Sequence, residues 1–259
     1  VAPDGNEDTL VDLAKEVDGI LTCFAKVTNN VVKSAQNCKV IGRFGVGVDN
    51  IDVGEATKQG IVVTYVPDYC VDEVSDHVIG LLLAWNRKIV LHNNDTKLSG
   101  WGNAGLGMRI MRLRGKKLGI VGFGRIGRMV AKKAQAFGLE VLSFDPMVES
   151  DFMNQLEVKK VELDDLLTES HFVTLHSPLI PATANMLGNE QFRMMREDAF
   201  LINCARGGLI DEDALHEALN SQTIAGAGVD VLIDIKPDTN HRLIKNENTI
   251  YSPKNSSGI

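Results

Sequence analysis

Residues 118–121, Leu-Gly-Ile-Val, form a short apolar run that opens into Gly122-Phe-Gly124-Arg-Ile-Gly127. The segment 128–137 continues at helical spacing, and a second apolar run, Glu140-Val-Leu-Ser-Phe144, ends at Asp145. Strand, tight turn, helix, strand and terminal acid are the context that a Gly-x-Gly-x-x-Gly dinucleotide fingerprint requires. In that reading Gly122 makes the turn, Gly124 leaves room for a pyrophosphate, and Gly127 lets the helix pack closely on the strand. The helix N-terminus, with Arg125 and Ile126 in the loop, offers N–H groups and a positive dipole end to the phosphates. Asp145 is placed to accept hydrogen bonds from a ribose diol, and its charge would repel a 2′-phosphate. NAD is therefore expected over NADP. The bland alternative, a plain glycine turn, leaves the flanking strand, helix and acid unexplained.

At 259 residues and 44% hydrophobic, the chain has enough apolar material for one large or two modest cores. A net charge of −7 and a pI near 5.4 argue against a nucleic-acid surface. The longest apolar stretch, 78–85, is far short of a membrane span, so no membrane partner is expected. Cys23, Cys38, Cys70 and Cys204 are scattered without metal-ligand spacing. They read as reduced thiols in a cytoplasmic protein, with no metal site. No signal peptide is recognisable at the N-terminus, and the initial Val implies that the chain is not the complete translation product.

Strand-like and helix-like segments alternate, the pattern of an α/β protein with a parallel sheet. Helices are expected at 7–17, 29–36, 52–59, 163–167 and 211–219, and one long helix at 72–96. Strands are expected at 19–24, 39–41, 61–65, 171–175, 199–202, 224–230 and 248–251. The punctuated stretch 66–70, Val-Pro-Asp-Tyr-Cys, is a credible crossing between domains.

Several motifs in this order and spacing are highly specific: Gly45-Val46-Gly47-Val-Asp-Asn-Ile-Asp52, the fingerprint, His176-Ser-Pro178 with Thr183, Asn203-Cys204-Ala205-Arg206-Gly207-Gly208, and Val229-Asp230-Val231. Together they resemble the D-isomer-specific 2-hydroxyacid dehydrogenases, over about residue 17 to the end. The resemblance implies a Rossmann-like NAD-binding domain at 69–259 and a flavodoxin-like substrate domain, here partial, at 1–68. Another strand before residue 1 and a returning helix after residue 259 are also implied. Either the chain is trimmed at both ends or its substrate domain is reduced. The resemblance further implies cofactor contacts from His176, Pro178, Thr183, Cys204, Ala205, Arg206 and Asp230, the last near the nicotinamide carboxamide. The long helix and the glycine-rich loop at Trp101 resemble the family's dimer arm, so a homodimer is expected.

Arg206 is the leading catalytic candidate. A 2-oxo or 2-hydroxy acid carries a planar carboxylate beside its reacting carbon, and a guanidinium matches it with two parallel hydrogen bonds. Arg206 follows an apolar strand, so it is expected at a strand's carboxyl end, where ligands bind in such sheets. Unaided by the other motifs, a surface arginine in a turn would explain it as well. By resemblance, the backbone N–H groups of Val46 and Gly47 assist in holding the carboxylate. A purely structural glycine turn is the alternative there.

One position departs from the family. Hydride transfer to a 2-oxo acid needs a proton donor at the carbonyl oxygen. The family usually supplies a His after a Pro near the last strand, oriented by a Glu before another Pro. Here the first segment reads Tyr251-Ser-Pro253-Lys254, and the loop after Asp230 reads Val-Leu-Ile-Asp234-Ile-Lys236-Pro237, one residue longer than usual. Two readings follow. Lys254 replaces the His, with Asp234 standing in for the Glu; a free lysine, with a pKa near about 10.4, is protonated at neutral pH and suits reduction. Otherwise the site has lost its catalyst, and the chain is an NAD(H)-binding sensor or corepressor-like interaction protein. Retention of Arg206, Asp230 and the Gly45–Gly47 turn favours the enzyme, because a pure cofactor binder needs no carboxylate clamp.

Overall fold

Three short apolar runs in the first part of the chain lie side by side as parallel strands β1 (Gly19–Thr22), β2 (Val40–Arg43) and β3 (Val62–Thr64). Helices α1 (Glu7–Ala14), α2 (Asn29–Ser34) and α3 (Val53–Lys58) alternate with them. Each helix starts on a side-chain oxygen that accepts a first-turn N–H: Asn6, Thr28 and Asp52. The register sets Ile20, Ile41 and Val63 abreast on the face that meets Val31, Val32 and Ala56. This computed structural model describes residues 1–100, 110–234 and 237–258, and the chain separates into two units, Val1–Tyr69 and Cys70–Ile259.

The second unit begins with α4 (Val71–Asn86) and α5 (Ile89–Ser99). Then follow β4 (Lys117–Val121), α6 (Arg125–Ala136), β5 (Glu140–Phe144), α7 (Ser150–Gln155), β6 (Val158–Lys160) and α8 (Leu163–Glu169). The last part comprises β7 (Phe172–Leu175), α9 (Asn189–Met194), β8 (Phe200–Asn203), α10 (Glu212–Asn220), β9 (Gly226–Val229), α11 (Arg242–Lys245) and β10 (Thr249–Tyr251). All seven strands are parallel, in the order β10-β9-β8-β7-β4-β5-β6. The order reverses between β4 and β7, which makes this a Rossmann-like sheet with its switch point at the fingerprint strand. Every residue of β7, β8 and β9 is buried, as strands covered on both faces must be.

The expected single helix at 72–96 is two helices. The chain breaks at Lys88, whose φ of 55° is left-handed. Two tertiary contacts outweigh continued helix. The Lys88 ammonium sits 3.5 Å over the Trp85 ring, which stacks on Phe200 with centroids 4.7 Å apart. Next to it the buried Asn86 exchanges two hydrogen bonds with the backbone of Met111. The short elements α7, β6, α9 and α11 escape sequence reading, having at most six residues each and too few turns to show a period. Among the described residues no helix is long and apolar enough to cross a membrane, and all four cysteines are free thiols.

Trp85 can lie flat on β8 and β9 only because residue 226 is glycine. A Cβ there would overlap the indole and come within 2.7 Å of the Asn248 carbonyl. Gly226→Ala is expected to lower unfolding free energy by about 1–3 kcal/mol in urea titrations, the usual penalty of overpacking. An unchanged midpoint would contradict this packing.

Candidate active site

The three glycines of the fingerprint do three different jobs. Gly122 has φ 96°, and a Cβ there would stand 2.8 Å from the backbone of His176 and Ser177. Gly127 sits in the first turn of α6, where a Cβ would collide with the Gly122 carbonyl oxygen. At Gly124 a Cβ would meet nothing within 4 Å, so this side of the turn opens outward. No side chain caps α6 at Gly124, which leaves the first-turn N–H groups, including those of Arg125 and Ile126, without a side-chain acceptor. An open backbone approach beside an uncapped helix N-terminus fits a dinucleotide pyrophosphate. Asp145, just after β5, is pinned to the same turn: one carboxylate oxygen accepts the Phe123 N–H at 2.8 Å and the other the Met147 N–H at 2.9 Å. Each oxygen keeps a second lone pair for a ribose hydroxyl.

The carboxyl ends of β7, β8, β9 and β10 carry the remaining candidates of this unit. After β7, the His176 imidazole lies 3.0 Å from the Thr174 hydroxyl, and burial pushes its pKa down to about 4. It is neutral at neutral pH. Pro178 begins an exposed turn that the Thr183 hydroxyl closes, donating to the Pro178 carbonyl at 2.6 Å and accepting from Ile180 N–H at 2.9 Å. After β8, the buried Asn203 shapes the turn that presents Arg206. Its amide donates to the Arg206 carbonyl at 2.9 Å and accepts from the Ala205 N–H at 3.0 Å. The Arg206 guanidinium itself donates to the Ala205 carbonyl at 2.8 Å. Burial, and next the charge of Asp230, raise the Cys204 thiol well above its ordinary pKa, so it is no nucleophile here.

Asp230, at the end of β9, is wholly buried. One carboxylate oxygen accepts the Ser252 hydroxyl at 2.6 Å and the Asn255 N–H at 2.9 Å; the other accepts the Ser256 N–H at 3.1 Å. The Asp230 carbonyl also receives the Lys254 N–H at 2.8 Å. The loop after β10 is thus wound around one carboxylate, and Lys254 within it has a left-handed φ of 53°. His77, from α4, reaches the same cluster 2.8 Å from the Ser252 hydroxyl. Asp234 is exposed on the loop after β9; Lys236 and the Trp101 loop lie outside the described residues. Asn203, Ser252 and His77 carry no local signal of their roles, since His77 and Ser252 are 175 positions apart.

In the first unit, the turn after β2 carries Val46 and Gly47. Gly45 there has φ 152°, a backbone conformation that residues with a Cβ rarely adopt. Among the described residues the N–H groups of Val46 and Gly47 donate to no protein acceptor.

Comparison with known proteins places these features in context. Residues 79–256 match the family described as "D-isomer specific 2-hydroxyacid dehydrogenase, NAD binding domain". The D-3-phosphoglycerate dehydrogenase of Methanocaldococcus jannaschii is 38% identical over 255 residues, covering 98% of this chain and 48% of that protein. The glyoxylate reductase of Thermococcus litoralis is 37% identical over 250 residues, covering 94% of this chain and 75% of that protein. The chain therefore spans about half the length of the phosphoglycerate dehydrogenases and three quarters of that reductase. Among solved structures, Aquifex aeolicus D-lactate dehydrogenase complexed with NAD and lactic acid superposes with a TM-score of 0.89 at 28% identity, over 96% of this chain and 79% of that one.

The depressed pKa of His176 has a sign that can be checked. As pH falls below about 6.5 the unfolded chain takes up the proton first, so stability is lost down to about pH 4 and is unaffected above. His176→Gln is expected to flatten this decline by up to about 1.4 kcal/mol per pH unit in denaturant titrations. Identical slopes would show that His176 titrates normally.

Proposed function

The chain belongs to the D-isomer-specific 2-hydroxyacid dehydrogenase family, and we propose that it is an NAD-dependent oxidoreductase acting between a small 2-oxo acid and its 2-hydroxy acid, favouring reduction. One observation carries the reading. The nucleotide turn after β4, Arg206 after β8 and Lys254 after β10 all stand at the carboxyl edge of one parallel sheet. Residues 69–259 form the NAD-binding domain and 1–68 the substrate domain. The named relatives are dehydrogenases and reductases, and none supports a sensor or corepressor.

NAD(H), when bound, exchanges a hydride with C2 of the acid. The chain's own residues do the rest. Gly122, Gly124, Arg125, Ile126 and Gly127 hold the pyrophosphate by backbone, and Asp145 holds the adenosine ribose. His176, Pro178, Thr183, Cys204, Ala205 and Asp230 frame the nicotinamide end. Arg206 grips the substrate carboxylate; for Val46 and Gly47, in the first unit, a donor role rests on the family resemblance alone. Lys254 gives a proton to the C2 oxygen during reduction. Asp234, exposed on the loop after β9, is assigned to orient the amine by analogy with the family's Glu. Oxidation needs the neutral amine and is slow at neutral pH by the same logic.

We further assign a homodimer in the cytoplasm. Support for the dimer comes from α5, which buries no residue and exposes Ile89, Val90, Leu91 and Leu98. Four free thiols suit a reducing compartment. Light scattering at twice the chain mass tests the dimer, and a monomer at micromolar concentration would refute it.

The reaction is tested by following NADH consumption with glyoxylate, hydroxypyruvate and pyruvate. Arg206→Ala is expected to lower kcat/KM about 100-fold or more, having lost two charge-assisted hydrogen bonds worth about 1.5–3 kcal/mol each. Lys254→Ala is expected to lower kcat about 10²–10⁴-fold, the usual worth of a general acid. Tight NADH binding without turnover of any acid would reject the enzyme. Full turnover by Lys254→Ala would reject the donor alone.

A further inference from the structure

His77 belongs to none of the motifs, yet it stands at the one buried charge that organises the Lys254 loop. The hydrogen-bond directions can be worked out. Ser252 has a single hydroxyl proton, and at 2.6 Å it is given to Asp230. The Ser252 oxygen therefore accepts from His77 at 2.8 Å, which requires the hydrogen on Nε2. That same nitrogen lies 3.5 Å from the Asp230 carboxylate. His77 thus closes a chain running imidazole N–H to hydroxyl to carboxylate. Its own element is tied to α6, because Lys133 donates at 2.7 Å each to the Ser75 hydroxyl and to Asp76, two residues and one residue before His77 on α4.

What this chain of bonds holds is the backbone around Lys254. Ser252, Lys254, Asn255 and Ser256 are each bonded to Asp230, through either its carboxylate or its carbonyl. A left-handed backbone costs a lysine about 1–2 kcal/mol, so such a conformation persists only where its surroundings over-determine it. A metal site is a poorer explanation of the cluster. His77, Cys204 and Asp230 do offer nitrogen, sulfur and oxygen atoms within 4.8 Å of one another. Both Asp230 oxygens, however, already accept hydrogen bonds from the loop, and the Ser252 hydroxyl occupies His77 Nε2.

We infer that His77 is a positioning residue: through Ser252 and Asp230 it holds residues 252–256 in the geometry that presents the Lys254 amine to the C2 oxygen. The inference rests on Lys254 being the proton donor. His77 does not touch the reacting atoms, so its effect must pass through Lys254.

The test is a double-mutant cycle on the full-length protein. His77→Leu, His77→Gln and Ser252→Ala are made with Lys254 present and in Lys254→Ala. For each, kcat and KM for the preferred 2-oxo acid and the NADH Kd by fluorescence are measured. With Lys254 present, His77→Leu and Ser252→Ala are expected to lower kcat about 10–100-fold, the effect of a misplaced group, while NADH Kd is unchanged. His77→Gln keeps an N–H donor and is expected to restore most of the rate. In Lys254→Ala the same substitutions are expected to add no further loss. Without cofactor, amine-reactive labelling of Lys254, read by mass spectrometry, is expected to speed up in His77→Leu and not in His77→Gln. Losses that multiply in Lys254→Ala, an unchanged kcat in His77→Leu, or unchanged labelling would overturn the positioning role alone. A wild-type protein with no turnover, or full turnover by Lys254→Ala, would instead overturn the reading on which it rests.

Discussion

At Gly127 the first turn of α6 passes so close to the carbonyl of Gly122 that no Cβ fits between them, and at Gly122 the chain abuts the backbone leaving β7. The carboxyl edge of the sheet depends on these two approaches. They draw the helix down onto β4, bring β4 against β7 at the switch point, and leave the outward side of the turn at Gly124 empty. An anion there meets backbone N–H groups and a helix dipole with no side chain in between. Asp145 completes the arrangement, because its bond to the Phe123 N–H ties the end of β5 to the same turn.

A second constraint governs the other half of that edge. Removing a carboxylate from water is costly unless its oxygens find donors, and Asp230 has no solvent to turn to. Its donors come from a hydroxyl and two backbone N–H groups of one short loop, so satisfying the acid also fixes the loop. Asn203 does the same on a smaller scale, its amide bonding both sides of the turn that carries Arg206. In each case a buried polar group, which must be paired, sets the backbone of a half-buried charged residue. The backbones of Arg206 and Lys254 are therefore arranged by buried residues, Asn203 and Asp230.

Legibility in the sequence follows the range of the interaction. The nucleotide turn is readable because its glycines act on neighbours within a few positions, and the flanking apolar runs announce buried strands. Arg206 is readable as a strand-end cation for the same reason. The break at Lys88 is not, because it needs Trp85 to be stacked on Phe200 and Asn86 to be bonded to Met111. That the Asp230 carboxylate also holds the loop after β10 is not legible, because its donors lie 22 and 26 positions away. His77 lies on a helix whose pattern shows only that one face is buried, and nothing in that pattern names the hydroxyl it meets.

The sequence by itself determined the parallel α/β architecture, the dinucleotide turn and an arginine at the carboxyl end of a buried strand, because glycine spacing and apolar runs act over a few residues. It also placed Lys254 just after the last strand-like run. Only the tertiary structure decided how that lysine is held. Its backbone conformation is set by a buried acid on another strand, and the hydroxyl that ties the loop to that acid is bonded in turn to a histidine on a distant helix. Such contacts exist only once the sheet has assembled and water has been removed from around Asp230, and no local pattern of residues encodes them.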